Sequence, residues 1–252
     1  MTQRVDATLN KGLKILETLA ASQAPLGITD LSNELGLNKS NIHRLVKTLC
    51  TLGYVSQCPD RSYRASLKIW KLGTMVMNHT NLAQLATTAM NSLAQATGES
   101  VHLSVRDGLK VLYIEKIDSA QSVRAYTVRG GSAPLHCVAT GKVLLAYNYD
   151  ALRAPIAGTL EAFTPKTITT LKALDAEIAS IRKTGLAINA GEYRADVGGI
   201  AAPILDDDGN VLAAIGISGP LSRLPRTKIK ELSPLVSSAA ASVSQLIRSR
   251  QR

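Results

Sequence analysis

The stretch Thr29-Asp-Leu-Ser-Asn-Glu-Leu-Gly-Leu-Asn-Lys-Ser-Asn-Ile-His-Arg-Leu-Val-Lys-Thr-Leu49 decides the fold of the chain around it. Ile28, Leu31 and Leu35 recur at helical spacing, and Gly36 stands where a helix ends on a left-handed residue. Thr29 is the expected N-cap, because its hydroxyl can accept from the free N–H groups of a first turn. Leu37 re-enters the core and Asn38 is placed to cap a second helix. In that helix Ile42, Leu45, Val46, Leu49 and Leu52 make one apolar face. Ser40, His43, Arg44 and Lys47 lie opposite, flanked by Lys39, Asn41 and Thr48. Two short helices joined at a glycine, the second basic on its outer face, predict a helix-turn-helix over 28–47. The second helix then has the form that enters a DNA major groove.

Upstream, Leu9, Leu13, Leu16, Leu19 and Ala20 predict a first amphipathic helix over roughly 8–21, followed by the loop Ser22–Gly27. Downstream, Gly53–Gln57 and Ser62–Ala65 read as two short strands around Pro59-Asp60-Arg61. Three helices and a two-stranded ribbon make a winged helix-turn-helix over residues 5–66. An arginine can pair bidentately with guanine and an asparagine with adenine, while Ser and Lys suit phosphates or base edges. Arg61 and Arg64 on the wing could reach the minor groove or the backbone. Charge supports this end of the chain as the nucleic-acid partner. Residues 1–80 hold ten Lys+Arg and five Asp+Glu, against nineteen and fourteen in the much longer remainder.

Leu67 to about Met77 has a helical pattern with Trp70 as an apolar packing contact, which predicts a linker helix over 67–81. A second region, 82–252, then mixes helices and hairpins. Helices are expected over Leu82–Thr97, Val138–Ala146, Leu171–Thr184 and Lys228–Arg248. Hairpins are expected over Val101–Ile117, turning at Asp107-Gly108, and over Ile200–Ser218 around Asp206–Asn210. Ser122–Val128 alternates as a further strand, and Gly130–Pro134 reads as a loop. Hairpins interspersed with helices argue an antiparallel sheet, and so an α+β fold.

Composition excludes several classes. No run approaches the length of a membrane helix, and the N-terminus lacks the apolar segment of a signal peptide. Cys50, Cys58 and Cys137 are too few and too widely spaced for a disulfide framework or a metal motif. A cytoplasmic protein without membrane contact is expected, with no cofactor and no metal. Gly141-Lys142 is followed by Val143, so the phosphate-binding loop pattern is absent, as are G-x-S-x-G, H-E-x-x-H and G-x-G-x-x-G. Cys137 beside His136 reads as a structural cysteine rather than a nucleophile. Asp206–Asp208 reads as a solvated turn, since it lacks calcium-loop spacing.

The segment Gly36–Leu49 closely resembles the recognition helix of IclR-family bacterial transcription regulators. The likeness continues through Leu52-Gly53-Tyr54-Val55, Tyr63, Leu72-Gly73, Thr97-Gly98-Glu99 and Pro134-Leu135-His136. It then runs through Gly141–Ala146, Glu192, Ala201–Ile204 and Ile217-Ser218-Gly219-Pro220, over essentially the whole chain. The resemblance implies an N-terminal winged helix-turn-helix, a linker helix and a C-terminal effector domain similar to GAF domains. It also implies homodimers, often paired into homotetramers, on palindromic double-stranded DNA operators. By position it suggests Ala139, Thr140, Gly141, Asn189, Gly199 and Ser218 as the effector contacts. Free N–H groups at the helix start near Gly141 would suit a carboxylate without any arginine. The chain departs from the family pattern at Asp196, where glycine is usual, and at Asn189, where an acidic residue is common. It departs again at Asn38 and Asn41, where proline and threonine are frequent. The expected function is a ligand-responsive transcriptional regulator, a repressor of a carbon-catabolic operon answering to a sugar acid, keto acid or hydroxy acid. An activator of the same architecture, or an enzyme carrying an ancillary basic domain, are the competing readings.

Overall fold

The structure, a computed structural model, describes residues 5–78, 81–125 and 127–251. The chain divides into two compact units, Met1–Asn81 and Leu82–Arg252.

In the first unit α1 (Ala7–Ala21) opens on Asp6, whose Oδ1 accepts from the Leu9 N–H at 2.7 Å. α2 (Ile28–Leu35) begins one residue before the expected cap. Gly27 is the N-cap, and Asp30 Oδ2 reaches back to the Gly27 N–H at 2.8 Å. Thr29 therefore lies inside the helix; the carboxylate one turn in captures the free donor instead. Gly36 closes α2 at φ +65°, a conformation that would strain a residue with a Cβ. α3 (Lys39–Thr51) is capped by Asn38, whose Oδ1 accepts from the Asn41 N–H at 2.9 Å. β1 (Val55–Gln57) and β2 (Tyr63–Ala65) pair antiparallel, with Val55 opposite Ala65. Leu26 adds a bridge to Tyr63.

The core of this unit joins Ile15, Leu19, Leu31, Ile42, Leu45, Val46, Val55 and Tyr63. α1 is thus rotated from the expected face: Ile15 and Leu19 are buried, while Leu9 and Leu13 are 63% and 48% exposed. α4 (Leu67–Asn78) follows the wing. The end of the expected linker helix, His79 and Thr80, lies outside the described residues. Trp70, expected to pack, is 70% exposed, and Leu67, Met75 and Val76 are exposed with it.

The second unit is α+β. α5 (Leu82–Thr97), β3 (Ser100–Asp107) and β4 (Lys110–Ile117) lead to a short β5 (Ser132–Pro134). α6 (Ala139–Tyr147), α7 (Tyr149–Ala157), α8 (Leu171–Thr184), β6 (Ala187–Ala190), β7 (Val197–Leu205), β8 (Val211–Pro220) and α9 (Arg226–Gln251) complete it. The six strands run β5-β4-β3-β8-β7-β6, antiparallel throughout. α5 and α9 pack on β3, β7 and β8, whereas α6 and α8 build a separate core over Val111, Tyr113, Ala201 and Ala214.

Ser122–Val128 forms no strand among its described residues, and Tyr126 lies outside them. The Thr127 carbonyl is taken by the Lys116 ammonium at 2.8 Å, which removes an acceptor from any ladder. The strand that pairs with β4 is instead Ser132–Pro134, in the stretch expected as a loop. The β6 strand and the α7 helix have weak local signals: β6 has only four residues, and α7 carries Pro155 in its interior. Gly141 sits inside α6 where a Cβ would lie 2.5 Å from the Leu135 carbonyl oxygen. The helix can approach that loop only because residue 141 has no side chain.

Candidate functional site

On the first unit, burial of Ile42, Leu45 and Val46 turns the opposite face of α3 outward. Lys39, Ser40, His43, Arg44, Lys47 and Thr48 are exposed on it, and Asn41 is half-buried beside them. Ser40 donates to Asn38 Oδ1 at 3.2 Å and Thr48 to the Arg44 carbonyl at 3.1 Å, so these two hydroxyls partly serve the helix itself. The cations have no carboxylate across from them in α3, whose only charged side chains are Lys39, Arg44 and Lys47. Arg61 and Arg64 are exposed on the wing. Arg61 takes φ +66° at the tip, where Asp60 Oδ1 accepts from the Ser62 N–H and hydroxyl and fixes the turn.

On the second unit, a cavity of about 180 Å³ opens between the sheet and the start of α6. Five of the six residues that the sequence suggested come together there: Ala139, Thr140, Asn189, Gly199 and Ser218. Gly141 is not part of the lining, because it faces the Leu135 backbone instead. The lining also includes His102, Tyr113, Tyr193 and Arg194, none of which the sequence had singled out. Arg194 is the one cation among the described lining residues, which include no carboxylate. The β6–β7 loop carries Arg194 to the cavity, beside the start of α6.

Several hydrogen-bonding groups line the cavity. α6 begins at Ala139 with no side-chain cap, so its first N–H groups are available where Val138, Ala139 and Thr140 line the cavity. Asn189 Oδ1 accepts from the N–H groups of Gly191 and Glu192, at 3.1 and 2.9 Å, which leaves its amide N–H₂ as the donor for a ligand. His102 Nε2 lies 2.6 Å from Ser218 Oγ, and its Nδ1 lies 3.2 Å from Thr127 Oγ1. Burial pushes the His102 pKa down to about 4, helped by the nearby Lys116 cation, so the ring is neutral at pH 7. Burial likewise pushes the Tyr113 phenol up to about 12 and keeps it protonated. Cys137 is buried and its thiol is pushed up to about 12 by desolvation, the state of an inert cysteine.

The two units match two family descriptions. Residues 8–59 match the IclR helix-turn-helix domain, and residues 74–245 match the bacterial transcriptional regulator IclR C-terminal domain. The chain is 32% identical over 243 residues to the HTH-type transcriptional regulator XynR of Escherichia coli K12, covering 95% of this chain and 96% of that protein. It is 33% identical over 248 residues to the DNA-binding transcriptional repressor YiaJ of the same organism, covering 95% and 87%. Among solved structures, an IclR homologue from Microbacterium hydrocarbonoxydans complexed with 4-hydroxybenzoate superimposes with a TM-score of 0.84. That pair is 25% identical and covers 96% of this chain and 100% of the other. A helix-turn-helix with its basic face outward, a second unit with an antiparallel sheet, and relatives that are regulators rather than enzymes lead to one conclusion: the chain belongs to the IclR family of DNA-binding transcriptional regulators.

Proposed function

We propose that the protein is a repressor of a carbon-catabolic operon, released from its operator by a small carboxylic acid bound in the cavity of the second unit. The observation that carries the acid is the charge of the lining: Arg194 and the uncapped start of α6 meet no carboxylate among the described residues. The ligand's carboxylate takes the N–H groups of Ala139 and Thr140 and the Arg194 guanidinium. Its hydroxyl or keto oxygen meets Ser218, Thr140 and the Asn189 amide. A cavity volume of about 180 Å³ suits a small sugar acid, keto acid or hydroxy acid. The neighbour that holds 4-hydroxybenzoate favours an aromatic hydroxy acid as a second reading, with the ring against Tyr113 and His102. The relatives named as repressors, YiaJ and the Escherichia coli IclR protein, support the sign of regulation.

In this reading Lys39, Ser40, Asn41, His43, Arg44, Lys47 and Thr48 contact one operator half-site, with Arg61 and Arg64 alongside. A cytoplasmic homodimer or homotetramer binds a palindrome. Coupling of about 1–3 kcal/mol between the sites, roughly 5–150-fold in affinity, would give the switch. The test is a gel shift on the DNA upstream of the gene. It is run with hydroxy, keto and sugar acids of small size and with 4-hydroxybenzoate, in parallel with melting curves. One acid is expected to raise the melting temperature and release the DNA, and Ser218→Leu to bind DNA while ignoring that acid. DNA affinity and melting temperature indifferent to every acid would sink the effector reading. Loss of transcription on deleting the gene would make the protein an activator.

A further inference from the structure

Lys142 lies on α6 and, among the described residues, is the largest side chain with almost no exposure, at 1%. All three of its N–H groups are used. Nζ donates to Glu177 Oε1 on α8 at 2.7 Å, to Glu192 Oε1 on the β6–β7 loop at 2.8 Å and to the Ile188 carbonyl of β6 at 2.6 Å. Two residues before it, Thr140 lines the cavity; directly after Glu192, Tyr193 and Arg194 line it too. One ammonium group thus joins two walls of the cavity.

The loop is built around the same point. Thr167 Oγ1 donates to the Glu192 carbonyl at 2.5 Å and Thr164 Oγ1 to the Gly191 carbonyl at 2.7 Å. Among the described residues Glu192 Oε2 is buried without a partner, and Lys142 holds the carboxylate through Oε1. A buried ion pair gains little net stability over an apolar substitute, because desolvation offsets the attraction. What it does supply is a fixed direction and distance between the elements it joins, and both elements here face the cavity.

We propose that Lys142 is a positioning residue of the effector site: it sets the separation between the start of α6 and the Tyr193–Arg194 wall. The inference rests on the reading of the cavity as the effector site, and its test has a readout that needs no ligand. Hydrogen exchange is followed on the full-length chain in Lys142→Met, Glu192→Gln and Glu177→Gln. In the Lys142 and Glu192 variants the amides of Gly191 and Glu192 are expected to exchange about tenfold faster or more, as a local opening. The amides of β3, β8 and α3 keep their protection. Glu177→Gln leaves the bond to Glu192 in place and stays near wild type. Should Lys142→Met fail to fold, the near-isosteric Glu192→Gln decides alone. Unchanged exchange in the loop would overturn the proposal, and so would equal acceleration across β3 and β8, which would mark a merely structural lysine. Melting shifts with 4-hydroxybenzoate and the small acids form a second arm, in which an acid effective on wild type should need about tenfold more on Lys142→Met. If no acid shifts wild type, the effector reading fails while the exchange pattern still decides the role of Lys142.

Discussion

His102 concentrates the chemistry of the cavity in one ring. As a neutral imidazole it donates from one nitrogen and accepts at the other. When Nδ1–H points to Thr127, Ser218 donates to Nε2 and keeps its oxygen free to accept from a ligand hydroxyl. When Nε2–H points to Ser218, the serine hydroxyl is free to donate to a keto or carboxylate oxygen. The neutrality has a consequence for stability. A histidine in the unfolded chain titrates near its usual 6.5, and in the folded chain near 4, so the unfolded state binds more protons between those values. The stabilisation is complete above pH 6.5 and is lost as pH falls toward 4, roughly 3 kcal/mol in all. Urea midpoints between pH 7 and pH 4.5 should therefore fall more steeply for wild type than for His102→Gln; parallel curves would contradict a buried neutral ring.

At the scale of elements, α3 was readable because its information is local. The apolar period of 3.6 residues sets the inner face, and Asn38 caps through its own neighbour three residues on. Arg44 stands exposed on the outer face, and Arg44→Ala is expected to weaken binding to the specific operator by about 1–3 kcal/mol in a gel shift. Lys47→Ala should weaken all DNA about equally and lower the salt slope by about one. Equal operator affinity of the Arg44 variant would remove it from the interface. Elsewhere local signals competed. Thr29, the expected cap of α2, lies inside the helix, and Asp30 Oδ2 accepts from the Gly27 N–H instead. Ser122–Val128 has strand-like alternation, yet Lys116 from β4 takes a carbonyl that pairing would need, and the ladder goes to Ser132–Pro134.

At the scale of the molecule, the first unit exposes several large apolar side chains. Leu9 and Leu13 on α1 and Leu67, Trp70, Met75 and Val76 on α4 are all exposed. In the dimer proposed above a second copy would cover them, and helix-turn-helix dimers read half-sites about 34 Å apart on DNA. Leu9→Glu combined with Trp70→Glu should shift the protein toward monomer in sedimentation velocity and weaken binding to a palindrome far more than to a half-site. An unchanged oligomer would place the interface elsewhere.

The sequence by itself determined the basic amphipathic helix α3, its Asn38 N-cap, the wing and the antiparallel character of the second unit. Each of these follows from neighbours within a turn or a hairpin. It also carried the residues Ala139, Thr140, Asn189, Gly199 and Ser218 through resemblance, but not their assembly. His102 shows why. In Val101-His-Leu-Ser-Val105 the polar residues alternate as on a solvent-facing strand, and nothing within the strand marks them as buried. Only the pairing of β3 with β8, residues more than a hundred apart, brings His102 beside Ser218, and only the packing of α6 on that sheet closes the second layer over them. Lys142 is the same case in reverse, a charged residue whose burial depends on carboxylates from α8 and the β6–β7 loop. Burial and charge compensation arise between distant segments, so tertiary structure alone decided which polar residues became the site.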